Sequence, residues 1–461
     1  MSLTPEIANE IGGAKACREL ITRLTEYKAR SAKQTGLGFV RFATRIQSID
    51  LLNWLDSQEV IAKYYWRSRD NATEFAALSL PRFGLTTPTV TAGMLFQTDD
   101  QIDQPLPESI VLRWFNSFPF AGVERFDDEM RAVPAPFNFL VPDIEIVSGS
   151  DGTWLISTLQ HLADAKLLQE GLEALVWDEP SELTFPILLS REEAQSRLQW
   201  AVAINRAVAA IARKEIEKVV LARRSTCKFS DAVSPWQLLK RLRESNPDCY
   251  LFGVDRKPYD PFVGASPERL YRRIGREIET EAVAGTRPRG NNAEEENRYR
   301  DDLLHSSKDR NEHELVVRGI TESLRPLTSK IEILTEPTIV RLATVQHLVV
   351  KIRATLRPGI VDDDLLRQLQ PTPAVGGYPR NKAVEMIRLL EPFDRGPYAG
   401  PIGWVSHTAA EFAVGIRSAV IKHDNLVLYA GAGIVEGSDP DAEWDEIDQK
   451  FKTFASILTA Q

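Results

Sequence analysis

The stretch PFVGASPERLYRRIGREIETEAVA, residues 261–284, decides the fold class. Pro261 to Ala265 is a short apolar run that reads as a strand, and Pro267 marks a bend after it. Arg269 to Ala284 reads as a hairpin turning at Gly275. A hairpin leaves no room for a crossover helix, so its strands run antiparallel. Working outward, Val219 to Ala222 and Leu251 to Val254 read as strands before it. Ile339 to Thr344, Leu348 to Ile352, Glu411 to Ile421 and Leu426 to Tyr429 read as strands after it. Between them, Glu192 to Lys218 reads as one long amphipathic helix, with Leu198, Ala201, Ile204, Val208 and Ile211 at three- and four-residue spacing. A charged helix is expected from about Glu294 to Leu324, and a last one from Pro440 to Leu458. Upstream, short apolar segments such as Gly38 to Phe42 and Ile110 to Phe115 alternate with Pro- and Asp-rich turns, including Thr98 to Pro107. Strands outnumber βαβ units, so the fold class is α+β with mostly antiparallel sheets. Residues 1–195 form a β-rich portion expected to be integrated into the same fold as residues 196–461, which carry the chemistry.

The 461 residues, 43% of them hydrophobic, are ample for a large buried core. A formal net charge of −9 argues against nucleic acid or anionic membrane as a general partner. It also means that an anionic substrate needs a local cluster of positive charge. Cys17, Cys227 and Cys249 have no CxxC spacing, so neither a disulfide framework nor a zinc site is expected. The N-terminus is polar and no run approaches the ~18 apolar residues of a spanning helix, which predicts a cytoplasmic protein.

Several side chains stand out by position. Glu443, Glu446 and Lys450 share one face of the last helix, as a solvated acidic face or as ligands. Asp309 and Glu312 share a face near residue 310, a spacing open to Mg²⁺, which takes one or two protein carboxylates. Lys218 ends a helix and begins an apolar run, either snorkelling or desolvated enough to act as a base. Glu268, after the Pro267 bend, either pairs with Arg269 or sits in a poorly solvated cleft where its raised pKa makes it an acid. His347 reads as a core histidine. Arg417 lies in an apolar strand and needs an anionic partner, from the protein or from a ligand. Ala430-Gly431-Ala432-Gly433 reads as a small-residue turn whose N–H groups can approach an anion.

Taken in order, these pieces resemble the chorismate-utilising enzymes. The matching text is Glu217 to Arg223, Ser266 to Leu270, Glu281 to Arg287, Val345 to Leu348, Gln370 to Gly377, Tyr398 to Gly400 and Tyr429 to Lys450, covering roughly residues 200–461. Upstream the match is looser, chiefly Tyr65-Trp66-Arg67-Ser68-Arg69-Asp70. The resemblance implies one α/β unit of two packed antiparallel sheets flanked by helices, with the site in a cleft. It implies Mg²⁺ on Glu312 and Glu446, with Asp309 and Glu443 as outer or water-mediated ligands. It also implies Arg417, Lys450 and the N–H groups of Gly431, Gly285 and Thr286 on the substrate carboxylates, with His347, Ala374, Val375 and Tyr398 lining the site.

Within the family, Lys218 resembles the base, and Glu268 the acid, of members that use water; members using ammonia carry glutamine at the position of Lys218. Members forming a lysine adduct carry lysine at Ala284. Salicylate synthases, which go on to eliminate pyruvate, tend to carry threonine at Ala374. The resemblance therefore implies conversion of chorismate to isochorismate, with no glutaminase subunit, as a monomer or dimer. Around Leu369 to Pro371, Glu391 to Phe393 and Gly437 to Pro440 the text looks most like the menaquinone-pathway branch. Siderophore-pathway and salicylate-forming members, and a catalytically silent chorismate-binding relative, are the alternatives.

Overall fold

The computed structural model describes residues 10–31, 38–60, 62–81, 89–91, 99–102, 111–120, 124–126, 132–134, 138–177, 185–256, 260–341 and 345–459. Two sheets dominate. The larger runs, in spatial order, from Leu188–Glu193 through Lys218–Phe229, Asn425–Ile434, Ser418–Lys422, Phe262–Ser266 and Tyr250–Arg256. It continues through Ala62–Arg67, Thr73–Ser79, Ile144–Gly149 and Gly152–Leu159 to Gly38–Ile46 and Asp99–Ile102. The smaller has Glu277–Pro288 between Val345–Leu356 and Arg269–Ile274, followed by Ala409–Val414, Pro401–Val405 and Trp114–Ser117. Among the described residues the strand pairs are antiparallel except Gly38–Ile46 with Asp99–Ile102. The expected α+β class with two packed antiparallel sheets and flanking helices is what the chain adopts.

The sheets meet through an aromatic layer. Phe75 and Phe115, one from each sheet, have ring centroids 4.8 Å apart, and Tyr64 stacks on Phe115 at 6.2 Å. Such pairs add about 0.5–1.5 kcal/mol each beyond area burial.

The chain passes between the sheets several times, and two of these crossings matter for the site. Phe262–Ser266 belongs to the larger sheet and Arg269–Ile274 to the smaller, so Pro267 and Glu268 form a crossing. Ala409–Val414 belongs to the smaller and Ser418–Lys422 to the larger, so Gly415 to Arg417 form a second crossing. The crossings are stitched together: Val414 N–H donates to Glu268 O at 3.1 Å and Ala265 N–H to Arg417 O at 3.0 Å. Arg417 has φ of 49° there, in the left-handed region, so the single strand expected across Glu411 to Ile421 is broken.

Other boundaries also differ from the sequence reading. The expected helix over Glu192 to Lys218 is an edge strand ending at Glu193, a helix over Arg197–Ala212, and a new strand beginning at Lys218. Ser196 and Gln199 form a capping box at the helix start, and Lys214 in the left-handed region ends it. The charged helix is two, Ala293–His305 and Ser307–Leu324, because the Ser306 side chain caps the second by accepting from Asp309 N. Ala430 to Gly433 is not a turn but the last part of the Asn425–Ile434 strand, paired with Lys218–Phe229 so that Val219 faces Ile434. The hairpin at Gly275, φ 56°, is as expected, and the last helix spans Pro440–Thr459. Thr98, 103–110 and 342–344 of the sequence reading lie outside the described residues. No described helix is long and apolar enough to cross a membrane.

Candidate active site

A cavity of about 890 Å³ opens beside the two sheet crossings. Its walls bring together Lys218, Glu268, Gly285, Thr286, Asp309, Glu312, His347, Ala374, Val375, Tyr398, Arg417, Gly431, Glu443, Glu446 and Lys450, every residue singled out above as a site candidate. Residues far apart in sequence meet because the Lys218–Phe229 and Asn425–Ile434 strands are neighbours. The Ser307–Leu324 and Pro440–Thr459 helices then bring their carboxylates to the same cavity.

Lys218 is 1% exposed, and its Nζ stands 2.9 Å from Glu312 Oε1. A cation so buried requires such a partner. Glu268 is 6% exposed and has no such counter-ion among the described ion pairs. Burial, then the nearby Glu281 carboxylate, push its carboxyl up to about 8, against the pull of Lys218.

Arg417 is half-buried in the cavity wall, and among the described residues no carboxylate pairs with it. Burial lowers its pKa, yet a guanidinium stays charged, so the wall presents an uncompensated cation. Its neighbour is His347: Arg417 Nη2 lies 3.5 Å from His347 Nε2, while His347 Nδ1 lies 3.2 Å from Gly285 O and 3.1 Å from Thr286 Oγ1. Burial and then Arg417 push the imidazole down to about 3, so it is neutral. With Nδ1–H donated to Gly285 O, Nε2 is left to accept from Arg417. His347 is thus a cavity-wall residue that steadies a cation without neutralising it.

At the other end, acids crowd together. Lys450 Nζ donates to Glu446 Oε1 at 2.8 Å and to Gly431 O at 2.7 Å. It is the Gly431 carbonyl, then, that faces this lysine. Burial works to raise Glu446, but the Lys450 ammonium more than offsets it and the carboxyl is held low. Glu443 is raised, first by burial and then by Glu446. Lys308 Nζ, 3.2 Å from Glu443, feels Glu443, Glu312 and Glu446 together, which hold its pKa up against burial. Asp309 is turned to Arg287, at 2.8 Å. The protein therefore collects three carboxylates around a cation, a donor set that suits a hard divalent ion. Among the described residues no group of three or more His, Cys, Asp or Glu side chains is gathered closely enough to hold a metal ion; Glu312, Glu443 and Glu446 pair with Lys218, Lys308 and Lys450.

Sequence reasoning missed Lys308, Arg287, Tyr429 and Arg395. Lys308 carries a usable signal, since it lies four residues before Glu312 on one helix. Tyr429 stacks on Tyr398 with centroids 5.0 Å apart. Arg395 binds Glu391 and donates to the carbonyls of Val375 and Val220, bracing two walls of the cavity. No spacing rule announces which distant carbonyls an arginine will reach.

Comparison with known proteins gives a consistent result. A family described as chorismate binding enzyme matches residues 24–459. Isochorismate synthase MenF of Haemophilus influenzae is 31% identical over 459 residues, covering 97% of each chain. The salicylate biosynthesis isochorismate synthase of Pseudomonas aeruginosa is 42% identical over 268 residues, 58% of this chain and 56% of that one. The solved structure of MenF, the menaquinone-specific isochorismate synthase from Escherichia coli, matches with a TM-score of 0.81 at 30% identity, covering 96% of this chain and all of that one.

Proposed function

The chain belongs to the chorismate binding enzyme family, and we propose that it is a Mg²⁺-dependent isochorismate synthase, an isomerase, serving menaquinone biosynthesis. The observation that carries the reading is that one cavity holds a buried Lys218, a Glu268 whose pKa is raised to about 8, and an Arg417 that no carboxylate among the described residues pairs with.

In this reading Arg417, Lys450 and the backbone of Gly285 and Thr286 hold the carboxylates of chorismate, which resolves how an acidic protein takes a dianion. His347 keeps Arg417 in place, and Ala374, Val375 and Tyr398 shape the apolar wall. Glu312 and Glu446 would hold Mg²⁺, with Asp309 and Glu443 further out. The ion supplies fixed positive charge for the ring carboxylate. Water adds at C2 and gives its proton to Lys218, which enters this step as the neutral amine; the ammonium paired with Glu312 is the form it takes afterwards. Both ring double bonds shift, C1=C2 to C1=C6 and C5=C6 to C4=C5, the C4–O bond breaks, and Glu268 gives its proton to the departing hydroxyl, which leaves as water. Glu268 fits the acid because its carboxyl is still protonated at neutral pH. Gly431 enters through its carbonyl, which orients Lys450.

Lys218, Ala284 and Ala374 favour the water-using reaction that stops at isochorismate, without a glutaminase subunit. We also read residues 1–195 and 196–461 as one folding unit in the cytoplasm; the pairing of Ala62–Arg67 with Tyr250–Arg256 across that boundary supports the first point. A second reading, a siderophore- or salicylate-pathway enzyme, is favoured by the 42% identity to the Pseudomonas relative.

The deciding experiment is product analysis of the purified protein with chorismate and Mg²⁺, with and without ammonium. Isochorismate alone, insensitive to ammonium and lost on chelation, supports the reading. Salicylate with pyruvate would move it to the second reading, and an aminated product would overturn the role of Lys218. No turnover by folded protein would leave a silent chorismate-binding relative, to be checked by calorimetry.

A further inference from the structure

The segment Tyr65 to Asp70 resembles the family but supplies no residue to the chemistry above. Its Arg69 nevertheless reaches the acid from the far end of the chain. Arg69 Nη1 donates to Pro267 O at 2.8 Å and to Glu281 Oε1 at 2.6 Å, and Nη2 donates to Glu281 Oε2 at 3.0 Å. Glu281 Oε1 in turn accepts from Arg269 N–H at 3.1 Å. The peptide groups before and after Glu268 are thus both tied to one ion pair. We propose that Arg69 and Glu281 are positioning residues for Glu268, clamping the sheet crossing on both sides so that its carboxyl faces the reacting centre. This rests on the assignment of Glu268 as the acid.

Three observations support the clamp. The crossing needs outside support, because residues 267–268 lie between strands of different sheets and have no ladder of their own. Beyond the clamp, among the described residues Glu268 itself has only Ser266 Oγ, accepting from its N–H at 3.2 Å, and Val414, donating to its carbonyl. The pair is also well held: Glu281 is 4% exposed, and the Arg69 guanidinium lies 5.6 Å from the Tyr250 ring centroid. A bidentate guanidinium–carboxylate pair fixes direction as well as distance. Finally, the Glu281 charge acts on Glu268 directly. The groups that face Glu268 electrostatically are Glu281 from one sheet, Lys218 from the other, and Tyr398. Glu281 raises Glu268 and Lys218 lowers it, so the clamp also keeps the acid protonated. A neutral clamp of the same shape would lack that second effect.

The test is steady-state kinetics on chorismate with saturating Mg²⁺ across pH, for wild type, Glu281→Gln, Arg69→Lys and Glu268→Gln, with folding followed by near-UV circular dichroism. Glu281→Gln keeps an oxygen for Arg269 N–H but removes the charge. The alkaline limb, where rising pH strips the acid of its proton, should move down by at least ~0.5 pH unit, about threefold in the acid constant. Arg69→Lys keeps the charge but not the fork, so kcat should fall at least ~10-fold with KM within about twofold and the limb in place. An unmoved limb in Glu281→Gln, or losses in Arg69→Lys that only follow the folded fraction, would overturn the clamp. If Glu281→Gln does not fold, the split between kcat and KM in Arg69→Lys decides alone. Glu268→Gln turning over near the wild-type rate would instead overturn the assignment of the acid, a result distinct from failure of the clamp.

Discussion

Two ionisable side chains buried in the same cavity are treated in opposite ways by their neighbours. Lys218 is given Glu312 at 2.9 Å, while Glu268 is given burial and the like charge of Glu281. The raised carboxyl suits the proposed acid, whereas the Glu312 contact holds Lys218 in the ammonium form that the proposed base reaches after accepting a proton. With a carboxyl raised to about 8, the acid is competent below that pH and is lost above it. Initial rates should therefore decline as pH rises through about 8, and a flat profile to pH 10 would contradict the role given to Glu268. Replacing Lys218 by Gln removes the proposed proton acceptor and should lower turnover by about 10²-fold or more, with chorismate binding by calorimetry largely kept. At this scale the sequence was informative where a residue's own chemistry is the message, as with Lys218, Glu268 and Arg417. It was silent on Arg395, whose importance lies in which distant carbonyls it reaches.

The strand Asn425–Ile434 shows what an element contributes. Along it Tyr429, Gly431 and Gly433 fall at every second residue, on the face that lines the cavity. Glycine at 433 leaves room for the Glu312 carboxylate: a Cβ there would run into Glu312 Oε1 and come to 3.2 Å from Lys218 Cε, so that the carboxylate would have to move. Gly433→Ala should leave far-UV circular dichroism unchanged yet raise the Mg²⁺ concentration for half activation at least ~10-fold, about 1.4 kcal/mol. Wild-type metal dependence in that variant would remove Glu312 from the ligand set. The same four small residues explain an error of reading. Ala-Gly-Ala-Gly looks like a turn when local propensity alone is weighed, but pairing with the apolar strand after Lys218 overrides it. Likewise the edge strand at Leu188–Glu193 was hidden within a helical pattern, because Glu192 and Glu193 suit either element and only the partner strand decides. The hairpin at Gly275 was legible, since its turn and alternation are local.

Over the whole molecule the larger sheet interleaves early and late segments. The Ala62–Arg67 strand, from the β-rich portion, lies between Tyr250–Arg256 and Thr73–Ser79. Tyr64, Tyr65 and Trp66 are each 2% exposed there. Burying residues of this size stabilises by about 1.5–3 kcal/mol apiece, against a typical net stability of about 5–15 kcal/mol. A fragment of residues 196–461 should therefore fail to unfold cooperatively on heating and should be cut rapidly by protease; a sharp transition from that fragment would show it to be an independent domain. The general architecture was legible because periodicity reports strands and helices. The interleaving was not, because no local pattern names a partner so distant in sequence.

That interleaving sets a clock on the ribosome. The Ala62–Arg67 strand is complete early, but the partner of Arg67 is Leu251. At about 5–20 residues per second, the wait for that partner is roughly ten to forty seconds. Throughout it, one edge of the nascent sheet is open to any passing chain. Slower translation between these two points would lengthen the exposure and lower the yield of active enzyme, although not one residue of the finished protein had changed.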